Sequence, residues 1–304
     1  LVTSLATAYL KGLQTLKEED DSVPGQSIFV LATPKHFIGD GATIWSSSRT
    51  DDYELDQGNM QVPEELVRKL YLPPYESAVE AGAMNVMASF SSWKGIKMHG
   101  QPYLLTKVLK DELGFSGFIV SDWQGMDQIY PDDYYASIVT SINAGVDMNM
   151  VPYDYVTFIE TMKQAVNNGD IPESRVDEAV RRILRVKFTL GLFERPMPDI
   201  KYQSTVRSRQ HLELARQAVH ESLVLLKNAD DVLPLKKDTP VIFISGEGAN
   251  DIGLQSGGWT VEWQGKTSND NEGTTILSGI RALTGSDTRL EYNRDGNFNE
   301  SRDS

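Results

Sequence analysis

The sequence contains no cysteine, which excludes disulfides and thiolate metal sites and leaves both reducing and oxidising compartments open. Histidine is sparse, with 4 in the whole chain. No two of them have the spacing of H-E-x-x-H, and no EF-hand loop is present, so no metal ion is expected. Nor does any apolar run approach the roughly 18 residues of a membrane-spanning helix, which excludes a span. The opening LVTSLATAYLKGLQ reads as an amphipathic helix with no charged segment ahead of it. Positive charge is outnumbered, 29 Lys and Arg against 43 Asp and Glu, for a formal net charge of −14. Such a surface repels nucleic acids and anionic membranes, and a neutral substrate suits it better.

What is present is enough for a substantial core. At 304 residues and 40% hydrophobic content, one large domain or two medium ones are expected. Four short apolar runs end in polar residues: IFVLATPKH at 28–36, NVMASFSSW at 85–93, GFIVSDW at 117–123 and VDMNMVP at 146–152. Each predicts a buried parallel strand whose C-terminal end emerges into solvent. Helical patterns such as VPEELVRKLYLPPYESAVEAG and QPYLLTKVLKDEL lie between them, giving the alternation of βαβ units. The expected fold class is α/β, with the C-terminal part of a (β/α)8 TIM-type barrel leading. A smaller open α/β sheet is the alternative.

Further along, a helix is predicted near Val156–Val166, and another after Ser174, read as an N-cap with Asp177 three residues on. Val176, Ala179, Val180, Ile183, Leu184 and Phe188 keep helical spacing there. The segment GLFERPMPDIKYQ has two prolines and no periodicity, as a linker would. A helix through Leu212–Leu226, the strand VIFIS at 241–245 and the loop GEGANDIGLQSGGW open a second α/β domain, and from about 265 the chain turns polar. The expected division is 1–195 for the barrel part, 196–215 for the linker and 216–304 for the beginning of the second domain. A full barrel takes about 250 residues, so the chain is expected to be a piece of a longer protein.

Active sites of such barrels sit at the C-terminal ends of the strands. The ends here present Lys35 and His36, Ser89 and Ser91, Asp122 and Trp123, and Met150. A carboxylate fixed on a rigid strand end suits a nucleophile for retaining glycoside cleavage, which makes Asp122 the first candidate, with an N-cap or an ion-pair partner as its alternatives. Trp123 could stack on a sugar face or belong to the core. Lys35 and His36 can donate to hydroxyls or favour an ionised carboxylate. The turn after them, with Gly39 and Gly41, would let the backbone approach a ligand. No function is assigned to His99, His211 or His220. Gly246, Gly248 and Gly253 follow a strand, but position 251 holds Asp and the spacing is wrong for a dinucleotide site.

Taken together, KHFIGDG, VMASFSSWKGIKMHG, GFSGFIVSDWQGMDQI, INAGVDMNMVP, SLVLLKN and GANDIGLQSGGWTVEWQG resemble glycoside hydrolase family 3, its β-glucosidase and exo-β-glucan glucohydrolase branch. The resemblance implies that Asp122 is the nucleophile and that Lys35 and His36 bind glucose hydroxyls. It also implies that Trp123 and Trp259 clamp the sugar and that Met150 lies near the pocket floor. It further implies release of terminal β-D-glucose through a covalent glycosyl-enzyme, with no cofactor and no metal, on β-glucoside or β-glucan oligosaccharide substrates. The glutamate acid/base of the branch has no matching motif before Ser304 and is expected beyond it, so this chain alone is expected to be inactive. Periplasmic or secreted localisation is likewise an implication of the resemblance. Alternatives are a β-xylosidase-type exo-hydrolase or a catalytically incomplete carbohydrate-binding fragment. Departures from the pattern are Gln128 where the glucan glucohydrolases have arginine, Gln124 for a glutamate, and a longer loop, WSSSRTDDYELDQGN, at 45–59. Asp40 stands where the hexosaminidase branch places a histidine, and so favours a glucosidase.

Overall fold

The apolar runs become strands where both of their faces can be covered. A computed structural model describes residues 1–15, 30–49, 53–198, 200–260 and 262–298. It divides into two compact units, Leu1–Lys201 and Tyr202–Ser304. The elements of the first unit, in order, are α1 (Val2–Gln14), β1 (Asn59–Met60), α2 (Glu64–Leu66), α3 (Pro73–Glu80), β2 (Asn85–Met87), β3 (Ser92–Trp93), β4 (Ile96–Lys97), β5 (Phe118–Trp123), α4 (Tyr134–Ala144), β6 (Met148–Met150), α5 (Tyr155–Asn167) and α6 (Glu173–Thr189). Two stretches, Val67–Tyr71 and Tyr103–Glu112, are π-helical.

Strands β2, β5 and β6 form a parallel sheet in that order, with Asn85 opposite Phe118 and Val120 opposite Met148. Alternation along β5 sends Ile119 into a core with Phe37, Val86 and Leu105, and Phe118 and Val120 into a second cluster with Val186. A strand buried on both sides has to read as a continuous apolar run, as GFIV does. Among the described residues the sheet is open and does not close on itself.

Three sequence expectations change in detail. Residues 28 and 29 of the first run lie outside the described residues. The rest of that run lies alongside β2 without becoming a regular strand. It is held by Met87 N–H donating to the Pro34 carbonyl (3.1 Å), Phe37 N–H to Met87 (2.8 Å) and Ser89 N–H to Phe37 (2.6 Å). The run at 85–93 splits into β2 and β3, because Ser89 turns its hydroxyl back to the Ser91 N–H at 2.9 Å. Helix α6 begins at Glu173, ahead of Ser174, with Pro172 at the N-cap and no side-chain cap. The Pro172 carbonyl accepts from Arg175 and Val176, and a ring-fixed φ presets the entry without an N–H to satisfy. The apolar stripe of α6 is only partly covered: Ala179 and Val186 are buried, while Val180, Leu184 and Phe188 are exposed.

In the second unit, α7 (Arg209–Ser222) is capped by the Ser208 hydroxyl and stops four residues before the expected Leu226, where Leu223 turns extended. Strand β7 (Val241–Ser245) falls where VIFIS predicts it, and α8 (Ile252–Ser256) and α9 (Ile276–Leu283) follow. The polar tail does contain a strand, β8 (Arg289–Asn293), paired in parallel with β7 from Val241–Arg289 to Ser245–Asn293. Its Leu290 and Tyr292 pack with Ile244, Leu277 and Ile280, two apolar side chains on one face being all that a half-covered strand needs. No helix among the described residues is long and apolar enough to cross a membrane.

Candidate active site

The C-terminal end of β5 carries Asp122 and Trp123, and the pairing with β6 shifts register between Val120 and Trp123. Three residues of β5 there span what two residues of β6 span, from Met148 to Met150, so the strand bulges at the carboxylate, as strands often do beside active sites. Side chains take over the backbone bonds of the bulge. The Ser121 hydroxyl donates to the Asp122 carbonyl (2.8 Å) and accepts from the Met150 N–H (2.7 Å). The Asp122 N–H donates to His99 Nε2 at 2.9 Å.

Around the Asp122 carboxylate, the Trp123 N–H donates to Oδ1 at 2.7 Å, and His36 Nε2 stands 3.8 Å from Oδ2. Burial raises the Asp122 pKa, against the Trp123 N–H and the positive charges of His36 and Lys35. His36 is itself raised, first by its hydrogen bond to Asp40, with burial opposing and the charges of Asp40 and Asp122 adding. Its Nδ1 lies 2.8 Å from Asp40 Oδ2. Asp40 accepts on Oδ1 from Ser89 (2.5 Å) and Ser91 (3.1 Å). Burial pushes the Asp40 carboxyl up, but hydrogen bonds from His36 and Ser89 and the nearby imidazolium bring it below its ordinary value. The chain of contacts runs from the buried serines through Asp40 to His36 and then to Asp122, and it orients the imidazole while favouring its cationic form.

Five expected site residues, Lys35, His36, Asp122, Trp123 and Met150, are therefore brought to one end of the parallel sheet. Trp123 is half exposed, with its ring edge-on to Tyr153 at 6.0 Å. Met150 pairs with Trp123 across the sheet, and its carbonyl accepts from Gln124. Trp259 belongs to the second unit, in a turn with φ of 65° and its ring 6.4 Å from Trp263. Gly39 is required by its backbone: φ is 97°, and an added Cβ would stand 2.4 Å from Met60 Sδ. Gly41 has no such constraint. Among the described residues no cluster of three or more His, Asp or Glu could hold a metal ion.

The long loop and Gln128, separate departures in the sequence, meet in space. Gln128 Nε2 donates to Gln57 Oε1 at 2.8 Å, and Arg49 donates to the carbonyls of Gln128 (3.0 Å), Ile129 (3.2 Å) and Gly95 (2.8 Å). Two partners escaped the sequence reading altogether: Asp40 as the orienting group of His36, and His99 on the Asp122 amide. The four-residue step from His36 to Asp40 was the available signal for the first. A separation of 23 residues hid the second.

Family models match at both ends of the chain: the glycosyl hydrolase family 3 N terminal domain over residues 1–186, and the family 3 C-terminal domain over residues 223–301. The chain belongs to glycosyl hydrolase family 3. It is 33% identical over 306 residues to a lysosomal beta glucosidase of Dictyostelium discoideum, covering 96% of this chain and 36% of that protein. A putative beta-xylosidase of Formosa agariphila is 34% identical over 224 residues, covering 70% and 28% of the two chains. Among solved structures, a mutant of an exo-1,3/1,4-beta-glucanase from a Pseudoalteromonas species superposes with a TM-score of 0.83 at 37% identity, covering 98% of this chain and 47% of that one. This family 3 chain thus spans about a third of the length of the curated relatives it matches. Membership of the family is in keeping with the resemblance read from the motifs.

Proposed function

We propose that this family 3 chain carries the nucleophilic half of a retaining exo-hydrolase that releases terminal β-D-glucose from β-glucosides or β-glucan oligosaccharides. The observation that carries the reading is the Asp122 carboxylate, half-buried at a bulged strand end, with the His36 imidazole 3.8 Å away. In the first step an Asp122 oxygen attacks the anomeric carbon as the glycosidic C–O bond breaks, and an acid catalyst protonates the departing oxygen. In the second, water attacks the glycosyl ester after giving a proton to the same group, and the carboxylate is regenerated. An Asp122 raised by burial is a less solvated and more reactive carboxylate. The cationic His36 and Lys35 keep its ionised form accessible and are placed to donate to sugar hydroxyls.

In this reading residues 1–195 are the C-terminal part of a (β/α)8 barrel domain, 196–215 a linker and 216–304 the beginning of the C-terminal α/β domain. Trp123 and Met150 contact the sugar from the first unit, and Trp259 is a sugar-binding residue of the second. The likeness to a β-xylosidase supports one alternative, a pentoside substrate, and the loop tied to Gln128 is where the two would be told apart. The test uses the full-length protein with a 2-fluoro-glucoside inactivator and mass spectrometry. A glucosyl adduct on the peptide containing Asp122, absent from Asp122→Ala, is the expected result. An adduct elsewhere, or none with either the gluco or the xylo inactivator, overturns the reading.

A further inference from the structure

His99 is fully buried, yet it is an imidazole and lies against the strand end that carries Asp122. Its surroundings fix its chemical state. Nε2 accepts the Asp122 N–H at 2.9 Å, so that nitrogen must be the unprotonated one and the ring proton sits on Nδ1. Among the described residues Nδ1 has no protein partner. Burial, and then the charges of Lys97 and His36, push its pKa down to about 3, which keeps the ring a neutral acceptor.

The need for an outside acceptor follows from the sheet. Strand β2 accompanies β5 only as far as Val120, whose carbonyl takes the Ala88 N–H. On the other side the bulge carries β6 out of register. The Asp122 amide is therefore left without a ladder partner, and a buried amide without an acceptor is destabilising. The chain makes room for the ring that supplies one. An added Cβ on Gly125 would stand 2.3 Å from His99 Cε1 and 2.4 Å from Nε2, so only glycine permits the βα turn to close over the imidazole. On another side Phe90 meets it edge-on, with centroids 5.9 Å apart. The Phe90 carbonyl accepts from the buried Lys97 ammonium at 3.0 Å.

We propose that His99 is a positioning residue for the nucleophile: by accepting the Asp122 N–H it locks the strand bulge, and with it the direction in which the Asp122 carboxylate points. The inference rests on the reading of Asp122 as nucleophile. The same carboxylate also takes the Trp123 N–H on Oδ1, so the peptide units on both sides of Asp122 are pinned, one by the imidazole and one by the carboxylate itself. Without the acceptor, the bulge is free to rotate and the attacking oxygen loses its aim. Misplacements of about 1 Å are enough to cost on the order of 10²-fold in rate.

The experiment measures inactivation of the full-length protein by a 2-fluoro-glucoside, separating the trapping rate constant from the inhibitor's dissociation constant. His99→Phe, which keeps a ring but no acceptor, is expected to trap about 30-fold more slowly with the dissociation constant changed less than about 3-fold, in the range typical of groups supporting a reactive centre. His99→Gln, whose amide oxygen can accept, is expected to recover most of the rate. A folded His99→Phe that traps at the wild-type rate overturns the proposal, as does a rate that His99→Gln leaves as low as His99→Phe does. Failure of the wild type to label at Asp122 would instead sink the nucleophile reading, so the two failures are distinguishable. Nitrogen-15 NMR of the wild-type histidines decides the matter without any variant: the His99 proton is expected on Nδ1 with no titration between pH 5 and 8. A proton on Nε2, or titration in that range, overturns the proposal.

Discussion

Asp122 and Asp147 are both acidic residues at the end of a parallel strand, and the chain treats them in opposite ways. Asp147 precedes β6 with its side chain fully buried. It accepts from the Lys110 ammonium at 2.9 Å and from the Ile119 N–H at 2.8 Å, and it is also bridged by the Arg175 guanidinium at 2.5 Å. Lys110 and Arg175 are shared with Glu178, which also binds Arg182. Burial lowers the Lys110 pKa, against the charge of Asp147. Asp122 at the far end of β5 has one backbone N–H and a histidine at 3.8 Å. A carboxylate with both oxygens engaged, by two cations and a backbone N–H, is committed to holding the structure. One left partly unpaired in a half-buried place retains reactivity for a substrate.

The contrast can be broken most decisively at Asp122. In the full-length protein, Asp122→Ala is expected to lower kcat/KM on aryl β-glucosides by on the order of 10⁴-fold, with chemical unfolding moved by less than about 1 kcal/mol. Asp147→Ala should do the reverse, since it leaves Lys110 and Arg175 buried without a counter-charge. Denaturant titration is expected to show a loss of about 3–5 kcal/mol, with the specific activity of the surviving folded fraction unchanged. A large stability loss from the Asp122 variant, or a folded but inactive Asp147 variant, would erase the distinction.

Asp40→Asn comes next in size, about 10–100-fold in kcat/KM as a group that orients a reactive-site histidine. The same substitution should bring the raised His36 titration down, as read by proton NMR. The two histidines beside Asp122 also give stability a pH profile of opposite limbs. His99 is lowered to about 3. Below about pH 6.5 the unfolded chain therefore takes up a proton that the folded chain refuses, and stability falls with pH from there down to about 3. His36 is raised, so its contribution is complete below about pH 6.5 and is lost as pH rises through its folded value. Urea midpoints across pH 4–8 are expected to peak between the limbs, and His99→Gln should flatten the acid limb alone. The smallest effect is expected at the exposed α6 pair of Arg181 and Asp177. Arg181→Ala should cost less than about 0.5 kcal/mol by thermal unfolding, which calibrates how different the buried Asp147 network is.

Much of the candidate site was legible because its residues lie where apolar runs stop, and such stops are visible in a sequence. GFIV followed by Ser121 and Asp122 marks both the element and the residue, whereas the run before Lys35 and His36 marks the residues but lies beside β2 without becoming a regular strand. Asp147 was equally adjacent to an apolar run, yet nothing in VDMNM distinguishes its role from that of Asp122. Its partners come from Lys110, 37 residues away, and Arg175, 28 residues away. The splitting of the run at 85–93 and the start of α6 at Glu173 depend on local hydrogen bonds that a pattern of apolar residues does not encode. Strand β8 was overlooked because RLEYN is half polar, as befits a strand covered on one face only.

The sequence by itself determined the alternation of strands and helices, the family, the excess of negative charge and the identity of the candidate nucleophile. All of these follow from residue type and periodicity along the chain, or from motifs that stand in it as continuous strings. Only the tertiary structure decided that Asp40 with two buried serines orients His36, that Gln128 is held by the loop carrying Arg49 and Gln57, and that a neutral His99 takes the Asp122 amide. The physical reason is common to all three. Each depends on a donor and an acceptor from separate parts of the chain coming within about 3 Å, and that proximity exists only once the parallel sheet has brought the strand ends together.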